Sequence, residues 1–94
     1  MLRITENFEN GNTVRLRLDG TLANEGFDEL ANAVAIHRDG VRRTIIVDMG
    51  GVEFMNDQAA RKLIRLRRDN LTIINCSPFI ATLLETIGNT EAGE

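Results

Sequence analysis

Ninety-four residues, 43% of them apolar and 27% charged, are enough for one globular domain that buries its own core without staples. A net charge of −3 argues against nucleic-acid binding by the whole domain, and no apolar run approaches the roughly 20 residues of a membrane span. The single cysteine, Cys76, excludes an internal disulfide and points to a reducing cytoplasm.

The opening residues, Met1 to Glu6, lack the basic and then apolar layout of a signal peptide. Leu2, Ile4 and Phe8 alternate with polar residues, as do Val14, Leu16 and Leu18, so both segments read as half-buried strands joined at Asn10-Gly11-Asn12. A three-residue loop pairs Phe8 with Val14 and Ile4 with Leu18, which puts both apolar sets on one face. Glu6 then faces inward, an expectation that needs a reason. Asp19-Gly20 is read as the end of the second strand. Leu22, Phe27, Leu30 and Val34 follow at helical spacing, with Asn24 as N-cap, acids in the first turn and Asp39-Gly40 as the stop. His37, near that helix end and without a second His or Cys beside it, reads as a solvated residue rather than a metal ligand.

Thr44 to Asp48 is a short, continuously apolar strand of the kind found when both sheet faces are covered. Strand, helix, strand implies a right-handed parallel crossover. Gly50-Gly51 is read as a tight loop, followed by a helix from about Gln58 to Arg68. Its predicted buried stripe is Ala59, Leu63 and Leu66, with Ala60 and Ile64 at the border and Arg61, Arg65 and Arg68 opposite. Five of the eleven basic residues fall between Arg61 and Arg68, a window without an acid. Leu71 to Cys76 reads as a fourth strand, and Cys76 as a buried strand cysteine. Ser77-Pro78 opens a third helix that Gly88 stops, which leaves residues 89–94 as a polar tail on a domain of residues 1–88.

This order of elements, with "VRLRLDGTL", "TIIVDMGGVEFMNDQAARKL" and "INCSPFIATLLETIG" in place, resembles the STAS domain family, named for sulfate transporters and anti-sigma factor antagonists. The resemblance runs from about Thr13 to Gly88. It implies a single α/β domain: a four-stranded mixed sheet with an antiparallel N-terminal edge strand, covered by about three helices. In the antagonists of this family an Asp-Ser-Ser-Gly or Asp-Ser-Thr-Gly segment follows the Phe-Met pair, and a kinase that is also an anti-sigma factor phosphorylates its first hydroxyl. Here that segment is Asn56-Asp57-Gln58-Ala59, so Asp57 stands where the phosphoacceptor belongs. No Ser or Thr lies between Ile45 and Leu71, so a Ser/Thr kinase has no substrate hydroxyl there.

A phosphoserine carries about −1.5 to −2 charge, so Asp57 is a partial stand-in at best. The plainer reading, that Asn56 or Asp57 caps a helix for about 1 kcal/mol, stays open beside it. The resemblance implies a switch loop at Asp48, Asn56, Asp57 and Gln58. The arginine face reads either as a solvated helix exterior or as a docking face with partner contact at Met55, Ala60, Arg61, Ile64, Arg65 and Arg68, where Ala60 and Ile64 give apolar contact and the arginines charge steering. A receiver-like phospho-aspartate pocket at Asp48 and Asp57 lacks the further acids and the strand-end lysine that it needs. Gly50-Gly51 lacks the lysine and serine of a phosphate loop. Cys76 has no candidate base except a distant His37. The expectation is therefore no enzyme, no cofactor and no metal. The implied partner is an ATP-binding anti-sigma factor, and a second copy of the chain is a further candidate. The alternative is a small cytoplasmic subunit of an ABC-type lipid-transport assembly.

Overall fold

The computed structural model describes residues 2–38, 44–67 and 71–92. The elements are β1 (Leu2–Asn10), β2 (Thr13–Leu22), α1 (Asn24–Arg38), β3 (Thr44–Met55), α2 (Asp57–Leu66), β4 (Leu71–Ile74) and α3 (Pro78–Ala92). They build one four-stranded mixed sheet in the order β1-β2-β3-β4, antiparallel between β1 and β2 and parallel thereafter. The expected fold class is the one observed.

The hairpin has the anticipated register, with Ile4 opposite Leu18 and Phe8 opposite Val14. A bulge between Phe8 and Asn10 narrows the turn to Gly11 and Asn12, closed by the Asn10 side-chain oxygen accepting from Asn12 N at 2.7 Å. Glu6 faces the helix layer because it has a partner there. His37 reaches back from α1 and its Nε2 lies 2.5 Å from Glu6 Oε2. His37 is thus buried, at 5% exposure, and not the solvated residue that the sequence suggests. Phe8, on the same face, presents its ring edge-on to the imidazole at 5.7 Å but stays 60% exposed.

Both crossovers step across the sheet in the same direction, so right-handed connections put α1 and α2 on one face. α2 packs between α1 and α3, which completes a single helical layer. Under it lie Val14, Leu16, Leu18, Ile45 and Val47, all fully buried, and Leu71. The expectation that both faces of the third strand are covered is therefore corrected. The second face carries Arg15, Arg17, Ile46 and Asp48, cross-strand neighbours in the parallel register, and no helix among the described residues covers it. Its charges are internally matched: Arg15 pairs with Glu9 at 2.7 Å and Asp48 at 3.8 Å, and Arg17 pairs with Asp19 at 3.5 Å.

The element bounds also shift. β2 continues past Asp19-Gly20 to Leu22, with Gly20 at φ 110° bending the strand where a side chain would strain it. β3 does not stop at Asp48. It runs on to Met55 through two bulges, at each of which it carries one residue more than β2. Gly51 permits the first, since a Cβ there would strike the Asp19 carboxylate and come within 2.7 Å of the Leu18 carbonyl oxygen. Asn24 is the first helical residue rather than the N-cap, and the Ala23 carbonyl accepts the first bond, from Phe27 N at 2.7 Å. β4 ends at Ile74, so Cys76 lies beyond the strand and is partly exposed. α3 passes through Gly88, a substitution for a better helix former that costs only about 1 kcal/mol. The predicted stop at Asp39-Gly40 lies outside the described residues.

Candidate functional site

The helix α2 begins where Asn56 takes an extended conformation, φ −85° and ψ 167°, and its side-chain oxygen accepts from Ala59 N at 2.8 Å. Asn56 N donates to the Leu22 carbonyl at 3.3 Å, which ties this helix start to the end of β2. Asn56 is therefore the cap, and Asp57 is the first helical residue. α3 begins in the same manner nearby: Ser77 Oγ accepts from Ile80 N at 3.3 Å, with Pro78 at the first helical position.

Between these two helix starts lies an open groove of about 600 Å³, lined by Phe54, Met55, Asn56, Asp57, Gln58, Phe79 and Leu83. Phe54 and Phe79 stack with centroids 6.0 Å apart and planes 17° from parallel, yet stay 49% and 52% exposed. Burial of a Phe side chain is worth about 1.5–3 kcal/mol, so two half-open phenyls side by side forgo much of that. Such exposure marks interaction sites more than scaffold. Asp57 is exposed and, among the described residues, makes no ion pair or side-chain hydrogen bond.

The predicted site residues do not all gather here. Asn56, Asp57 and Gln58 do. Asp48 does not, because the bulged β3 carries the chain on for seven more residues before α2 starts. Asp48 is instead a buried acceptor on the open sheet face, taking Gly50 N at 2.9 Å and Asn75 Nδ2 at 3.1 Å. The Gly50 amide holds its carboxyl below the ordinary 3.8. Desolvation works the other way, and Asn75, Arg17 and Arg15 add to the lowering. Asn75 adopts φ 60° at the end of β4, a left-handed turn that Asn tolerates, and so aims its amide at Asp48.

Met55, Ala60 and Ile64, predicted as partner contacts, are 1%, 0% and 7% exposed and belong to the core. The reason is position: α2 packs between two helices, so its buried arc widens from the expected stripe to Ala59, Ala60, Leu63 and Ile64, while Leu66 moves to the margin. Arg61 and Arg65 are exposed on the outer face, and Arg68 lies outside the described residues. Lys62 sits over the Phe27 ring at 5.7 Å, and Arg38 Nη2 donates to the Leu66 carbonyl at 2.9 Å, so two basic groups secure α1 to α2. The sequence reading missed Phe79 and the exposure of Phe54. Phe79 and Leu83 are four residues apart, beside the Ile80, Leu84, Ile87 stripe that α3 buries, and that offset was the available signal.

Among the described residues no group of His, Cys, Asp and Glu could hold a metal ion, and no helix is long and apolar enough to cross a membrane. No protein-family model matches the chain, and no curated protein is similar to it in sequence. Solved structures are similar in fold. The unphosphorylated anti-sigma factor antagonist SpoIIAA superposes with a TM-score of 0.71 at 18% identity, over 88% of this chain and 82% of that one. A DUF3478-family protein of SpoIIAA-like fold from Shewanella loihica PV-4 gives 0.57 at 14% identity, over 83% of this chain and 70% of that one. Mglu gives 0.59 at 25% identity over 73% of this chain, which spans only 18% of that protein. The chain has the SpoIIAA-like, STAS-like α/β fold.

Proposed function

We propose that this chain is a non-catalytic protein-interaction module, an anti-sigma factor antagonist-like regulator that docks its partner at the Phe54–Phe79 groove. The observation that carries the reading is the pair of stacked, half-exposed phenyls at the junction of β3, α2 and α3, beside an exposed acid. The likeness of fold to SpoIIAA supports the class of function. The partner in this reading is a cytoplasmic ATP-binding anti-sigma factor. Arg61 and Arg65, on the adjoining face of α2, steer the encounter. The residue at the start of α2 is Asp57, which has no hydroxyl to accept a phosphoryl group, so the interaction runs without the phosphorylation switch at this position.

The test is capture from the native lysate with the whole chain and with Phe79→Glu as paired baits. Phe79 is half exposed, so the substitution leaves the core intact. The reading expects an ATP-binding anti-sigma factor on the first bait and its loss from the second. An identical partner set on both baits would remove the groove from the account.

A further inference from the structure

We infer that the groove takes an arginine of the partner protein, flanked by aliphatic side chains, its guanidinium lying on a phenyl face and paired with the Asp57 carboxylate. This rests on the docking reading above and adds the chemistry of the docked group. Of the seven residues that line the groove, Asp57 alone is charged. Its carboxylate is exposed and, among the described residues, has no partner within the chain, because the capping role belongs to Asn56. The positive end of α2, equivalent to about half a charge, and the exposed Arg61 one turn further on offset that charge at long range, so recognition of the guanidinium rests on direct contact with the carboxylate.

The alternatives fit the surface less well. An acidic anchor would meet Asp57 in repulsion. A purely apolar anchor would cover the carboxylate without pairing it, and burying an unpaired charge is costly. Among cations, the planar guanidinium both stacks on an aromatic face and offers paired N–H donors to a carboxylate, whereas an ammonium is compact and strongly hydrated. Phe54 and Phe79 each keep about half their surface open for such a contact. Leu83 supplies an apolar wall for the flanking side chains.

The test is an amide-resolved NMR titration of the 15N-labelled chain with three blocked tripeptides: leucine–arginine–leucine, and the versions with lysine or glutamate at the centre. The arginine peptide should shift the amides of Phe54 to Gln58 and of Phe79, and bind more tightly than the lysine peptide. Asp57→Asn and Phe79→Ala should each weaken it about two- to fivefold, as for the loss of an exposed ion pair or cation–π contact. Asp57→Arg should transfer the preference to the glutamate peptide. Equal or tighter binding of the glutamate peptide to the unaltered chain would overturn the arginine inference and leave the docking reading standing. No shift of these amides with any peptide would also overturn it, while docking itself is decided by the Phe79→Glu capture.

Discussion

Asp48 shows how a residue can look like chemistry in the sequence and prove to be architecture. It follows an apolar strand and precedes two glycines, the setting of many sites. In the fold it is 4% exposed and accepts from Gly50 N and from the Asn75 amide. Its carboxyl is held below 3.8, first by the Gly50 amide, so the folded state binds that proton less readily than the unfolded chain. The stabilisation is therefore present above pH 3.8 and is lost as pH falls through the lower folded value. Asp48→Asn should cost about 1–2 kcal/mol at neutral pH, and the gap should close in strong acid. Urea midpoints of both chains across that range check this; a gap that persists in acid would mean that the charge is irrelevant. Gly51→Ala is predicted to be worse, by about 2–4 kcal/mol, because its Cβ has no room beside Asp19 and the Leu18 carbonyl. Burial raises the Cys76 thiol, so its alkylation at neutral pH should be slower in the folded chain than in urea.

At the scale of elements, local patterns carried far and long-range partners did not. The hairpin register was readable because period-two alternation admits only one turn length that shares a face. The cap of α2 was readable only as Asn56 or Asp57, and the bond from Ala59 N to the Asn56 side chain decides it. The role of His37 was not, since its partner Glu6 is 31 positions away in another element. The course of β3 was not either: glycine pairs argue for loops, and only the neighbouring strand β2 shows that these two sit in a bulge. Phe54 and Phe79 escaped for the same reason, as separate elements bring them together. The Glu6–His37 contact makes its own prediction. His37→Ala should lower stability by about 1–3 kcal/mol and speed hydrogen exchange in β1 before β3, since it frees the edge strand from α1. Uniform acceleration across the sheet would show that the contact is not local to that edge.

Among the described residues, one face of the sheet lies under three helices and the other under none. The bare face is lined with Arg15, Arg17, Asp19 and Asp48 in mutual ion pairs, which gives a docking protein little unmatched charge to read. The stacked, half-exposed pair Phe54 and Phe79 lies elsewhere, where β3, α2 and α3 meet. That asymmetry is the basis of the functional account, and position-specific photo-cross-linking tests it most directly. A benzophenone amino acid placed at Phe79, and in a second chain at Thr72 on β4, an exposed residue of the bare face, would be irradiated in the native lysate. The account predicts a protein adduct from position 79 and none from position 72. An adduct from position 72 with none from position 79 would contradict it.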